Sequence, residues 1–355
     1  MTRLSRMTRR TALVAGAAGL AMPSVWTRPA RAAGQVVVRN PGGAYSDTQK
    51  KFVYDPFTEE TGIEVVIVPS TMAKMLAMAK SGTTELDVAD AGLDGLLTLH
   101  KAGSLAQIDY ASWKHADPND IPKEYRSETT VGTNLYATVL GYNKETYPTG
   151  KQPTDWVQFW DAKAFPGSRM LADMASGTPN LEFALLADGV PMDKIFPIDI
   201  ERAFKSMSRV KPYIKKVWDT GALSAQMMAD RDVVLGSIWN GRLQAIAQRG
   251  APLAIEWNQH MLQIQAYGIF KDGPNPKAAQ LFVDYSMSPH PNSGMGFELN
   301  YGPINRKAFD LLPAATVANL PGSPENLKRS FLQDVYWWDE NRAKVNSIWS
   351  KWILT

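Results

Sequence analysis

The sequence predicts an α/β fold. Short apolar runs rich in Val and Ile alternate with stretches of helical periodicity. Clusters of Gly, Pro, Asn and Asp mark the joins between them. The 355 residues also exceed what a single hydrophobic core usually organises, so two lobes are expected.

Gln35–Arg39 (QVVVR) is the first strand, followed by the loop Asn40-Pro41-Gly42-Gly43-Ala44-Tyr45. A helix carrying Phe52, Tyr54 and Phe57 stops at Thr61-Gly62, and 63–68 forms a second strand. Ser70 or Thr71 then caps a helix with Met72, Met75, Leu76 and Met78 on its packed face. Residues 86–89 form a third strand, with Asp90-Ala91-Gly92-Leu93-Asp94 beyond its carboxyl end, where open α/β sheets collect ligands. A long irregular stretch, 109–133, leads to a strand at 136–142. After Trp156, Phe159 and Trp160 comes strand Arg169–Ala172, a loop over 173–178, and Pro179 placed as the first residue of a helix. Strand 233–238 runs into Trp239-Asn240-Gly241-Arg242 and a helix ending at Gly250. Residues 253–257 and 263–270 are the last clear strands, followed by a helix over 276–287. Phe331, Val335, Trp338, Val345, Trp349 and Trp352 recur at helical spacing near the end. The stripe could serve as a sugar platform, but its periodicity reads as the packed face of a docking helix.

The first residues differ in character from the rest. Arg9-Arg10 precedes an uncharged, Ala- and Gly-rich stretch over 13–26, and Ala30-Arg31-Ala32 has the shape a signal peptidase accepts. Residues 1–32 are therefore expected to be an export signal of twin-arginine type, with Ala12 standing where that pattern prefers Phe, so that the Sec route stays open. The apolar stretch is too short to span a bilayer, and no later run is long and apolar enough. The leader holds six of the 38 basic residues and no acids, which leaves 32 basic against 35 acidic residues beyond it. That balance gives no reason to expect a nucleic-acid partner. The chain has no cysteine, so disulfides, thiol catalysis, thiolate metal sites and a lipidated-cysteine anchor are all excluded. The four histidines, His100, His115, His260 and His290, form no HExxH motif, and neither a G-x-S-x-G elbow nor a phosphate-binding P-loop occurs.

One series of segments carries a resemblance. In order these are TEETGIEVVIVPS, ELDVADAG, YATVLGYN, TDWVQFWDAKAFPG, VVLGSIWNGR, GAPLAIEW, PKAAQLFVDYSMSP and NYGPINRKA. The series resembles the spermidine/putrescine-binding proteins of ABC importers over most of the chain beyond the leader. That resemblance implies a two-lobed periplasmic binding protein of type II, each lobe a mixed sheet flanked by helices, joined by crossover strands near 139–143 and 263–270. It implies a discontinuous N-lobe (33–140 plus 266–320), a C-lobe (141–265) and a C-terminal helix in 321–355 packing across both. It further implies a periplasmic, monomeric receptor that needs no cofactor, performs no turnover and delivers its ligand to ABC permease subunits.

Within that resemblance, Trp239 matches the family tryptophan that packs on the aliphatic part of a ligand, and its ring also offers a cation-attracting face. Asn240 is placed to cap the next helix, and Arg242 in the first turn would clamp a carboxylate. The competing reading is a core Trp and a surface Arg. Ser176, Pro179 and Gln265 stand where the polyamine binders carry acids, and buried ammonium groups left unpaired cost several kcal/mol. Asp94 stands where the family uses tyrosine, with Asp90 nearby. An amine facing Asp94 and a carboxylate facing Arg242 suit a zwitterion: an amino acid, a γ-aminobutyrate-like compound or an amino-acid conjugate. Tyr45 matches a family aromatic, Ser70, Thr71 and Ser176 offer hydroxyls or simply cap helices, and Tyr301 would close the cleft. The alternatives are a polyamine receptor rebuilt on Asp90, Asp94 and Asp173, an enzyme on the same scaffold, and a ligand-sensing partner of a membrane receptor.

Overall fold

The computed structural model describes residues 34–355, so the expected export signal lies outside the described residues. Ten strands form one continuous ladder in the order β2-β1-β3-β8-β4-β7-β5-β6, with β10 on β8 and β9 on β4. The strands are β1 (Gln35–Arg39), β2 (Glu64–Val68), β3 (Val88–Gly92), β4 (Thr130–Asn143), β5 (Arg169–Ala172), β6 (Ile214–Trp218), β7 (Leu235–Trp239), β8 (Leu253–Ile269), β9 (Gly302–Pro303) and β10 (Ser330–Leu332). β1 pairs in parallel with β2 and β3, and β5 in parallel with β6 and β7. The long strands β4 and β8 pair antiparallel with each other between these two parallel sets.

The helices follow in chain order: α1 (Gly43–Gln49), α2 (Asp55–Thr61), α3 (Met72–Ser81), α4 (Leu93–Lys101), α5 (Trp156–Trp160), α6 (Leu181–Ala187), α7 (Ile200–Val210), α8 (Gly221–Ala229) and α9 (Asn240–Gln248). α10 (Pro276–Ser286), α11 (Pro289–Leu299), α12 (Ala314–Val317), α13 (Pro324–Leu327) and α14 (Val335–Trp352) complete the set. A five-residue π turn, Lys50–Tyr54, joins α1 to α2.

The buried apolar residues fall into separate cores. One gathers Val36, Val38, Phe57, Leu96, Tyr267 and Phe282, on the side of β1–β3. Two others lie on the side of β5–β7, one around Trp156, Phe159, Phe183 and Trp338, the other around Met170, Trp218 and Ile238. Along β4 the core changes between Leu135 and Ala137, and along β8 between Leu262 and Ile264. β4 is buried along nearly its whole length even though it carries Thr130, Thr133, Asn134, Thr138 and Asn143 among its apolar residues.

Several local expectations are corrected. The two strands expected at 253–257 and 263–270 are one strand, β8, with an irregularity where Gln259 adopts a left-handed φ of 59°. Trp156 pins that kink: its indole nitrogen donates to the Gln259 carbonyl oxygen at 3.0 Å. The third strand runs past its expected end at residue 89, through Asp90, Ala91 and Gly92, because β8 pairs with them. Pro179 does not open α6, since Asn180 caps the helix at φ 56° and its side chain accepts from the Ala172 amide and the Ser237 hydroxyl. The stretch 109–133 holds three short 3-10 turns and the start of β4, and the buried carboxylate of Asp284 gathers the amides of Lys114, His115 and Ala116. Of the terminal aromatic stripe, Phe331 belongs to β10, while Trp338, Val345 and Trp349 are core residues of α14.

α14 touches both sides of the molecule. The Trp338 indole donates to the buried Glu182 carboxyl at 2.6 Å on one side. On the other, Lys101 pairs with Asp339, and Arg342 reaches Asp94 at 3.4 Å.

Candidate functional site

Strand ends converge on one cavity. Arg39 ends β1, Gly92 ends β3 and Trp239 ends β7, so parallel strands from both sides present their carboxyl ends to the same place. The register across β4 and β8 completes the level: Gly92 stands opposite Gln265, Gln265 opposite Asn134, and Trp239 opposite Thr138. Asn134 and Tyr136, two residues apart on one strand, project from the same face of β4. The result is a cavity of about 380 Å³ lined by residues from both parallel sets of strands and from β4 and β8 between them.

Of the residues singled out in the sequence, Trp239, Arg242, Tyr45, Gln265 and Tyr301 line this cavity. Trp239 stands edge-on to Trp218 (centroids 5.1 Å apart) and to Tyr136 (6.3 Å), and Tyr136 is in turn edge-on to Tyr301 (6.4 Å). These rings form an open aromatic box. Two glycines set its dimensions. A Cβ on Gly221 would stand 2.8 Å from the Trp239 ring and 2.9 Å from Arg242 Nε, and one on Gly241 would stand 2.7 Å from the Tyr301 ring. The Arg242 side chain thus lies beside the indole, and Tyr301 packs onto the first turn of α9.

The other expected residues sit outside the lining. Asn240 does not cap α9. Trp239 occupies the cap position, and the buried Asn240 side chain accepts from the Ala137 amide and donates to the Asn300 carbonyl, each at 2.9 Å. It therefore ties α9 to β4 and to the segment leading to Tyr301. Asp94, in the first turn of α4, is half-exposed and paired with Arg342. Thr71 caps α3 through the Lys74 amide at 3.2 Å, and the Ser70 carbonyl accepts from Arg39 Nε at 3.0 Å. The Ser176 hydroxyl donates to the Asp173 carbonyl at 2.8 Å.

Six lining residues were not singled out as site residues in the sequence: Pro41, Gly42 and Gly92, and the polar side chains Arg39, Asn134 and Tyr136. Arg39 closes a strand of valines and was read only as its end. Asn134 falls between the irregular stretch expected at 109–133 and the strand expected at 136–142, and Tyr136 is that strand's first residue. A carboxyl-end position next to a glycine loop was the available signal for Arg39.

Beneath the cavity lies a buried polar cluster. Asp90 Oδ1 accepts from Gln265 Nε2 at 2.7 Å and from the Tyr45 hydroxyl at 3.2 Å, while Oδ2 has no partner. Burial pushes the Asp90 carboxyl up to about 7, against the opposing pull of Gln265, Tyr45 and the Arg39 charge. The Tyr45 phenol is raised by burial and by Asp90, Tyr136 by burial and the Asp94 charge, and Tyr301 by burial despite Arg242. The phenols are therefore neutral hydrogen-bonding groups. A roomier hollow, about 780 Å³, lies between Asp173–Ala175 and α14, but it lacks this convergence of strand ends and polar groups. No group of three or more metal-ligating side chains occurs among the described residues, and no helix among them is long and apolar enough to cross a membrane.

Residues 53–324 match the family described as bacterial extracellular solute-binding protein. The chain belongs to that family. Among relatives of this solute-binding protein, a gamma-aminobutyric acid-binding protein of Pseudomonas aeruginosa is 30% identical over 318 residues, covering 88% of each chain. The crystal structure of an ABC transporter substrate-binding protein from Bradyrhizobium japonicum superposes with a TM-score of 0.83 at 32% identity, over 90% of this chain and 99% of that one. A binding protein from Agrobacterium tumefaciens R10, solved in complex with agropinic acid, gives a TM-score of 0.74 at 28% identity, over 91% and 99%. A spermidine/putrescine-binding periplasmic protein from Salmonella typhimurium is 23% identical over 83% of this chain and 88% of its own length. The solved neighbours share the mixed α/β architecture of type II periplasmic binding proteins, as the resemblance implied.

Proposed function

We propose that this protein is the periplasmic receptor of an ABC importer, and that it holds a small solute carrying an amine and a carboxylate in the cavity between its two sets of cores. The carrying observation is the pairing of Arg242 with the box of Trp239, Tyr136 and Tyr301 around that cavity. The guanidinium takes the carboxylate and the ring faces take the ammonium, with Asp94 adding negative charge near Tyr136. The relatives named for γ-aminobutyrate and agropinic acid support an amino acid, a γ-aminobutyrate-like compound or an amino-acid conjugate as guest.

The lining argues against a polyamine. It contains two guanidinium groups and no carboxylate; Asp90 is buried below Tyr45 and Gln265, Asp173 is engaged in its own turn, and Asp94, shared with Arg342, is a single acid where a polyamine needs several. The lobes proposed at 33–140 plus 266–320 and at 141–265 would close over the guest and present it to the permease. The core changes along β4 and β8 support a division of that kind. Capture and release, without turnover or cofactor, follow from this reading, as do export by the leader and a monomeric state.

Titration with 4-aminobutanoate, glutamate and spermidine, read by tryptophan emission and melting temperature, tests the assignment. A zwitterion present at one hundred times its Kd should stabilise the fold by about 2.7 kcal/mol. Spermidine should not, and Arg242→Ala should abolish the response. If neither zwitterion raises the melting point, or if spermidine does so equally well with Arg242→Ala, the reading fails.

A further inference from the structure

The cavity has a second cationic wall. Arg39 lies on the β1 side and Arg242 on the opposite side, in the first turn of α9, and both face the same space. The Arg39 guanidinium is held in place by main-chain oxygens alone: Nε donates to the Ser70 carbonyl at 3.0 Å and Nη1 to the Asp90 carbonyl. Two carbonyls fix its orientation without cancelling its charge. Among the described residues neither Arg39 nor Arg242 has a carboxylate within ion-pair distance.

The acids nearby do not fill that role. The Asp90 carboxyl is fully buried, with its Oδ1 covered by Tyr45 and Gln265. Burial pushes it up to about 7, so it offsets the Arg39 charge only in part at neutral pH. Asp94 pairs through Oδ2 with Arg342, and its Oδ1 lies beside Gly92, outside ion-pair distance of either Arg39 or Arg242. Between the two guanidinium groups the walls are neutral: the Tyr136 and Tyr301 phenols, the Trp239 ring, and the amides of Asn134 and Gln265. A guest with a single carboxylate at Arg242 leaves Arg39 facing the closed cavity without a counter-ion, which is costly once water is excluded.

From this arrangement we infer that the site is built for a dicarboxylate amine, in which one carboxylate pairs with Arg242 and a second pairs with Arg39 across the cavity. The inference rests on the receptor reading above and narrows its ligand class to amino-acid conjugates with two acid ends. Because the two arginines come from opposite sides, such a guest would bridge them and favour the closed arrangement. Arg39 is then a determinant of specificity as well as of affinity.

The test compares 4-aminobutanoate with its N-carboxymethyl and N-(2-carboxyethyl) derivatives and with the corresponding neutral carboxamides, using calorimetric titration of the intact protein. The carboxamides match the acids in shape and keep the amine, but lack the second charge. At least one acid should bind about tenfold or more tightly than its own carboxamide, as expected for a charged hydrogen-bonded pair. Arg39→Gln should bring that ratio to within about threefold, while Arg39→Lys should retain part of it. The wild-type ratio needs no variant, so the inference stays testable even if Arg39→Gln does not fold. If both acids bind no more tightly than their carboxamides while 4-aminobutanoate binds, the second carboxylate point is overturned and the receptor reading stands. If none of the compounds binds, both fall.

Discussion

Replacing Glu182 by Gln should flatten the dependence of stability on pH. Glu182 is wholly buried in α6, and its Oε1 accepts the Trp338 indole N–H at 2.6 Å, while Oε2 has no partner. Burial, opposed by that hydrogen bond, raises the carboxyl from 4.5 to about 7. The folded protein therefore holds this proton more tightly than the unfolded chain does. Stability contributed by the protonated form is complete below 4.5, is lost as pH rises towards 7, and changes no further above it. Between pH 5 and pH 8 the loss comes to about 2.5 kcal/mol.

Asp90, raised from 3.8 to about 7, acts with the same sign and contributes a similar loss of about 2.6 kcal/mol over that interval. His260 acts oppositely. Burial lowers its imidazole from 6.5 to about 4, so stability is present above 6.5 and lost as pH falls, by about 2 kcal/mol from pH 8 to pH 5. The wild type should thus lose about 3 kcal/mol between pH 5 and pH 8, and Glu182→Gln under about 1 kcal/mol. Glutamine keeps an acceptor for the indole, so α14 stays docked. Urea unfolding of both proteins at the two pH values measures the difference. Parallel losses in wild type and variant would refute the account of Glu182.

Other expectations follow from single contacts. Arg169 is fully buried and donates to the carbonyls of Phe159 at 2.8 Å, Gly167 at 2.5 Å and Phe165, so Arg169→Met should cost about 3 kcal/mol or more in urea unfolding by orphaning those oxygens. A loss under about 1 kcal/mol would count against it. Gly221→Ala should push Trp239 and Arg242 aside, shifting tryptophan emission and weakening the best-binding zwitterion about tenfold, at a stability cost of about 1–3 kcal/mol. Unchanged affinity would show that the indole and guanidinium do not grip the guest. Asp94→Asn should change stability by about 1 kcal/mol or less in urea unfolding, because the pairing of Asp94 with Arg342 is solvent-screened and Arg342 keeps its bond to the Gly177 carbonyl.

Much of the sheet was legible in the sequence because strands buried on both faces write themselves as apolar runs. β1 and β5 match the sequence reading residue for residue. β6 was missed because Lys215 and Lys216 interrupt its pattern at the sheet edge. α11 was missed because Pro289–Leu299 is built from small and polar residues, five of which are buried against neighbours rather than along one apolar stripe. The site divides similarly. Trp239, Arg242, Tyr45, Gln265 and Tyr301 come together as a turn motif and ordered segments suggested. Asn134 enters only through strand register, which no local pattern encodes, whereas Arg39 had a local signal in its place at a strand end before a glycine loop. Asp94 also meets Arg342, 248 residues away in the sequence, a contact that no local pattern announces.

The place of β8 between β3 and β4 has a consequence for synthesis. Until the ribosome has emitted residue 269, the two strands that β8 will separate lack their common neighbour and carry bare edges. A nascent chain in that condition is exposed to mispairing for most of its translation, and the sheet can be completed only late. Truncations ending ahead of β8 should accordingly aggregate rather than yield a soluble half.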